Sequence, residues 1–216
     1  MIIKAPIDLD LTINSGQTSQ PPWMKVDGEY ENVVLIDGEP AIFKVKQSGD
    51  YLDFNLEDKK AVSKLNYIFD LDFNLNKFYK YLNSHEELKG MSEFCRGLRL
   101  FLAPDPFECI ISSICSANNS IKRWTKSVSQ IKENWGNKHG NYYTFPQSNV
   151  LSNAYLDEGE EFNLSCISDI SKCCTNLKNC GVGYRAAYMR KASELFALEM
   201  DLSQIFTMSY DEAFQT

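Results

Sequence analysis

Asn118, Asn119, Lys122 and Arg123 form a polar break between two apolar patterns, Phe107–Cys115 before it and Trp124–Trp135 after it. Carboxamides both donate and accept hydrogen bonds, while guanidinium and ammonium groups only donate. On a rigid corner such a set suits the edge of a nucleobase and the phosphates beside it. A second set is Cys180-Gly-Val-Gly-Tyr-Arg185. There Tyr184 offers a ring and Arg185 a planar fork of donors, and the glycines leave backbone N–H groups open at a helix start. The third is Ser15-Gly16-Gln17, where a residue without a side chain lets another group come close to its backbone. Each has a plainer reading: Asn118 closes a helix, Arg123 is a solvated cation, Tyr184 packs at a helix start and Gly16 makes a turn.

The elements that carry these groups follow from spacing. Asp105 and Glu108 read as a capping box with Pro106 in the first helical position, and Phe107, Ile110, Ile111, Ile114 and Cys115 share one face. Ser120 is placed to cap a second helix, in which Ile121, Trp124, Val128, Ile131 and Trp135 recur at steps of three and four. The N-terminal part is β-rich. Ile7, Leu9, Leu11 and Ile13 alternate as in a half-buried strand, and Asp37-Gly38 between apolar runs signals a hairpin. Ser48-Gly-Asp50 makes a further turn before Tyr51–Leu56. An antiparallel sheet is expected to about residue 66, then short helices near Leu75–Leu82 and Glu86–Cys95. Beyond Arg99 the chain reads as helical. A short helix follows Phe145-Pro146, then an irregular acidic stretch near Asn153–Phe162, a helix near Ser168–Leu177, and a longer helix with Tyr188, Ala192, Leu195 and Phe196 on one face. Ser209 and Glu212 form a capping box that opens a last helix. The expected class is α+β: an antiparallel sheet domain over residues 1–95 and a helical domain over 96–216.

Composition narrows the classes. A chain of 216 residues with 44% apolar residues builds one large or two small domains, and no apolar run approaches a membrane span. Seven cysteines at irregular spacing, with Cys109, Cys115 and Cys173 on helix faces, point to a reducing, intracellular setting without structural disulfides. Cys166, Cys173, Cys174 and Cys180 have no histidine near them, so no metal site is expected. The net charge of −7 argues weakly against a nucleic-acid partner, but its distribution argues the other way. Five cations and one anion fall between Ser120 and Lys138, four cations and no anion between Lys178 and Lys191, and acids gather at Asp157, Glu158, Glu160 and Glu161.

Three segments in order, Leu9–Gln17, Asp105–Arg123 and Cys180–Tyr188, resemble the 8-oxoguanine DNA glycosylase/AP lyase family of the helix-hairpin-helix superfamily. The resemblance implies a TATA-binding-protein-like antiparallel sheet domain followed by a helical glycosylase domain. It implies base-excision repair of 8-oxoguanine paired with cytosine in double-stranded DNA, by a monomer without metal or organic cofactor, in the cytoplasm, nucleoid or nucleus. Removing the lesion takes its base out of the stack and orphans the cytosine. That cytosine presents two acceptors and one amine donor. In the family the positions matching Asn118, Arg123 and Arg185 contact it, Tyr184 wedges into the duplex, and the carbonyl of the residue matching Gly16 faces N7. N7 is protonated in 8-oxoguanine and bare in guanine, so a carbonyl there separates the two.

The family nucleophile is a lysine after a Leu-Pro-Gly-Val-Gly-type hairpin. The one Gly-Val-Gly here is 181–183, followed by Tyr184-Arg185, and a guanidinium is a poor nucleophile. No catalytic residue is therefore assigned; the lysine and its assisting aspartate are expected beyond residue 216, and the 216-residue chain alone is expected to be inactive. Two rivals stand beside this reading: a glycosylase for another lesion such as an alkylated purine, and a non-catalytic module that binds damaged DNA.

Overall fold

The structure, a computed structural model, describes residues 1–154, 176–198 and 207–215. The chain divides into two compact units, Met1–Asp105 and Pro106–Thr216.

The first unit is built on five antiparallel strands: β1 (Ile2–Lys4), β2 (Met24–Val26), β3 (Glu29–Ile36), β4 (Glu39–Ser48) and β5 (Tyr51–Phe54), in the order β1-β5-β4-β3-β2. The Asp37-Gly38 hairpin forms as its sequence implies. Ile36 pairs with Glu39, and both turn residues have positive φ, 52° and 86°, which matches the twist of the flanking strands. Phe43, Val45, Leu52 and Phe54 point inward and are fully buried. Trp23, Phe69 and Phe101 join them, with Trp23 5.3 Å from Phe69 and Phe69 5.6 Å from Phe101 between ring centroids.

Two expectations fail in this unit. Leu9–Ile13 is a helix, α1, not a strand. Asp8 caps it by accepting from the Leu11 N–H at 2.8 Å, and Leu9, Thr12 and Ile13 form the buried face. Leu11, inward in the alternating reading, is exposed. The sheet also ends well before residue 66. Lys59–Ile68 is helix α2, capped by Asp58 and burying Ala61, Leu65 and Ile68, which is helical spacing. Helices α3 (Leu75–Ser84) and α4 (Met91–Phe94) follow, with a 3₁₀ turn at Glu86–Leu88 between them. Arg99 and Phe101 are buried in this first unit, which therefore continues past residue 95 to Asp105.

In the second unit α5 (Pro106–Ser116) packs against α6 (Ile121–Trp135) and α8 (Arg185–Leu198), and α7 (Ser148–Ser152) packs on α8. Strands β6 (Lys138–His139) and β7 (Tyr142–Tyr143) make a small hairpin, and α9 spans Tyr210–Gln215. Ile111 and Cys115 of α5 meet Trp124, Val128, Ile131 and Trp135 of α6 and Ala186 and Met189 of α8 in one core. Pro106 takes the first helical position as expected. The Glu108 carboxylate lies 2.9 Å from the Lys132 amine, an ion pair between α5 and α6 that is largely shielded from solvent.

Three details here depart from the sequence reading. Ile121 is 66% exposed and does not join the α6 face. Ser120 occupies the N-cap position without a side-chain cap bond. On α8 the buried face is Ala186, Met189 and Ser193, whereas Tyr188 and Leu195 are exposed. That stripe is one alanine, one methionine and one serine, so it carries no strong apolar signature. The Ser209–Glu212 box forms as expected, with the Ser209 N–H bonded to the Glu212 carboxylate at 2.8 Å. The expected helix at 168–177 lies outside the described residues except at its end, where Asn176 caps a 3₁₀ turn at Leu177–Cys180. The acidic stretch with Asp157, Glu158, Glu160 and Glu161, and Cys166, Cys173 and Cys174, lie outside the described residues.

Candidate nucleic-acid interface

The corner between α5 and α6 is built by one asparagine and presents the other. Asn119 donates its backbone N–H to Ser116 O at 3.0 Å and its side-chain amine to Cys115 O at 3.2 Å. Its side-chain oxygen accepts from the Ser120 N–H at 3.0 Å. The carboxamide thus closes α5 and starts α6, leaving Asn118 exposed with a left-handed backbone at φ 48°.

Arg185, at the start of α8, reaches this corner. Its Nε donates to Ala117 O at 2.9 Å, and its Nη2 donates to Ala117 O and, at 3.2 Å, to Asn118 O. Both carbonyls lie in the turn that follows α5, so this one side chain ties the start of α8 to the corner. These bonds engage Nε and Nη2 and leave the Nη1 hydrogens pointing to other acceptors. The same guanidinium lies over the Tyr184 ring, 4.5 Å from its centroid. Tyr184 is 63% exposed and meets the edge of Tyr188, itself 64% exposed, at 6.4 Å. Asn118, Tyr184 and Arg185 are therefore neighbours in the second unit.

Arg123 sits in the first turn of α6, five residues beyond Asn118. It is exposed, and its guanidinium holds no hydrogen bond or ion pair among the described residues. Lys122 and Lys126 are exposed on the same first turns. The charge runs seen in the sequence are partly neutralised. Lys132 is paired with Glu108, and Arg190 and Lys191 both meet Glu194, at 3.3 and 3.1 Å. Lys191, then Arg190, holds the Glu194 carboxyl below its ordinary range. Lys122, Arg123 and Lys126 stay exposed beside the corner, and Lys138 is exposed on β6.

Gly16 lies in the first unit, exposed, with φ 69° and no atom within 4 Å of where a Cβ would stand. Sequence reasoning singled out this glycine but not what surrounds it. Gln17 donates to Ser15 Oγ and to Arg99 O, both at 2.8 Å, and accepts from the Phe101 N–H at 3.3 Å. Arg99 is 4% exposed and donates to Pro6 O at 3.0 Å, Asp70 O at 2.5 Å and Phe73 O at 3.2 Å. An amide directly after a turn glycine was the available hint.

Cys115 and Cys180 are buried, and burial pushes both thiols up. Burial pulls the Lys64 amine down, and Lys64 lies 5.6 Å from the Tyr67 ring centroid on α2. No group of three or more metal-ligating side chains occurs among the described residues, and no described helix is long and apolar enough to cross a membrane.

Comparison with known proteins matches this architecture. Residues 1–110, just over half of the chain, match the family model of the 8-oxoguanine DNA glycosylase N-terminal domain. A probable N-glycosylase/DNA lyase of Methanothermobacter thermautotrophicus is 41% identical over 217 residues, spanning 95% of this chain and 69% of the relative. Among solved structures, MBOgg1 in complex with a low-affinity DNA ligand has a TM-score of 0.75 at 25% identity, over 98% of this chain and 68% of that one. A Clostridium acetobutylicum 8-oxoguanine glycosylase/lyase, in complex with double-stranded DNA containing cytosine opposite 8-oxoguanine, has a TM-score of 0.73 at 21% identity, over 100% of this chain and 71% of that one. The identity and coverage of the archaeal relative, together with the domain match, mean that the chain belongs to the 8-oxoguanine DNA glycosylase family, the glycosylase/lyase enzymes of base-excision repair.

Proposed function

We propose that these residues grip double-stranded DNA at 8-oxoguanine paired with cytosine, for excision of the lesion and β-elimination at the resulting abasic site. The Asn118 carboxamide and the guanidiniums of Arg123 and Arg185 receive the orphaned cytosine. Its N3 and O2 take donors from the two arginines, and its amine meets the Asn118 oxygen. Tyr184 fills the space in the stack, and Gly16 reads N7 of the lesion. The observation that carries this reading is the Arg185 fork on the Ala117 and Asn118 carbonyls, which ties the wedge tyrosine and the base-reading corner into one body. One chain holds all these contacts, so a monomer suffices, and it acts where the cell keeps its DNA.

We assign these residues the recognition part of the reaction. The Schiff-base nucleophile is not Arg185, because a guanidinium stays protonated. Binding to duplexes with 8-oxoguanine opposite cytosine or adenine tests the recognition reading. The wild-type chain should prefer cytosine. Asn118→Ala should weaken the cytosine-paired complex by about 1–3 kcal/mol, the scale of a base-edge contact, and leave the adenine-paired complex nearly unchanged. Equal loss on both duplexes would overturn the assignment. Borohydride trapping on the same duplex tests the division of labour. The 216-residue polypeptide should form no covalent adduct; an adduct would place the nucleophile within it.

A further inference from the structure

We infer that Gln17 is the positioning residue that sets the Gly16 carbonyl, and thereby the discrimination between 8-oxoguanine and guanine; this rests on the reading of Gly16 proposed above. Gly16 itself is exposed, and apart from its chain neighbours no atom stands within 4 Å of its would-be Cβ. A carbonyl that separates a protonated from a bare N7 must nevertheless be held in place, because a site about an ångström too loose loses its selectivity. The restraint comes from the flanking residues. On one side the Ser15 hydroxyl donates to Thr12 O at 2.8 Å, tying it to the end of α1. On the other the Gln17 amide spans from Ser15 Oγ to Arg99 O and takes the Phe101 N–H, so one side chain closes the turn around the glycine.

The anchor beneath the turn is rigid. The Arg99 N–H faces Thr12 Oγ1 at 3.3 Å, and its guanidinium is fixed to three backbone carbonyls. Gln20 donates to Phe101 O at 3.1 Å, so Gln17 and Gln20 together satisfy both backbone groups of Phe101. Gln17 contributes no core packing; its role is geometric. Glutamate in its place has the same shape and can still accept from the Phe101 N–H. It has no N–H for Arg99 O, and its negative oxygens face that carbonyl and the lesion-reading turn.

The test uses the intact protein and three cytosine-paired duplexes carrying 8-oxoguanine, guanine or a tetrahydrofuran abasic analogue. For wild type we expect 8-oxoguanine to bind more tightly than guanine. Gln17→Glu should shrink that ratio by roughly three- to tenfold, the scale of one lost hydrogen bond, with abasic binding within about twofold of wild type because no base is read there. Gln17→Ala should shrink the ratio as well, which separates loss of the clamp from the added charge. An unchanged ratio in both variants overturns the role of Gln17 and leaves Gly16 standing. Parallel weakening on all three duplexes makes Gln17 a general scaffold and overturns it too. A wild-type protein that does not distinguish 8-oxoguanine from guanine removes the Gly16 reading and this inference together.

Discussion

The two asparagines at the corner differ in what holds them. Asn119 uses both ends of its carboxamide inside the protein, while Asn118, one residue earlier, presents its carboxamide outward. The sequence shows two amides and two cations; it does not show which amide is consumed by the turn, because that depends on the path of the backbone. Arg185 was legible as a donor, and its bonds to Ala117 and Asn118 were not, because 68 and 67 residues separate the partners in sequence. At the same scale Gly136 is a sensitive point. A Cβ there would stand 2.0 Å from Thr144 O and 2.6 Å from Lys132 O, both backbone atoms that cannot swing aside. Gly136→Ala should therefore destabilise the second unit by more than about 2 kcal/mol, read as a lower denaturant midpoint, although alanine is otherwise the mildest of replacements.

Elements were legible in proportion to how strongly one period dominates. α6 shows in the sequence because two tryptophans, a valine and an isoleucine recur at helical steps, and all four are buried. Leu9–Ile13 fits both an alternating and a helical template; the decision lies in the Asp8 cap and in Gln47, whose side chain accepts from the Leu9 N–H at 2.7 Å and donates to Ile7 O at 2.6 Å. α8 misled for the opposite reason: Tyr188 and Leu195 lie outside, while its buried face mixes Met189 with Ala186 and Ser193. Aromatic rings left on the outer face of a helix beside cations suit a stacked, anionic ligand better than a protein core. The first turns of α6 supply the matching charge through Lys122, Arg123 and Lys126. If Lys126 meets a phosphate, Lys126→Gln should weaken binding to all duplexes alike and make the slope of log K against log salt shallower by about 0.9. A titration between low and moderate salt, on lesion and undamaged DNA, reads both effects.

At the scale of the molecule, two apolar clusters share no residue: one draws on Ala5 through Phe101, the other on Ile111 through Met189. The five-stranded sheet, α2 and the aromatic group around Trp23 form a complete core within Met1–Asp105. A polypeptide of residues 1–105 is accordingly expected to fold alone and unfold cooperatively, with near-ultraviolet circular dichroism from Trp23 lost in a single transition. A non-cooperative melt would show that this core needs more of the chain. The α+β class was open to sequence reading because the Asp37-Gly38 and Ser48-Gly-Asp50 turns mark the strands and the apolar steps of α6 mark a long helix. The extension of the first unit to Asp105 was not, since Arg99 looks like a surface cation until the three carbonyls that surround it are seen.

Four described non-glycine residues have a left-handed backbone: Asp27, Asp37, Asp70 and Asn118. Glycine adopts that conformation without strain, and a routine thermostabilising design would replace all four. At the three aspartates such a design alters turns. At position 118 it would delete the carboxamide we propose for the pyrimidine, so on that reading heat tolerance and base selection ask for different residues at the same backbone angle.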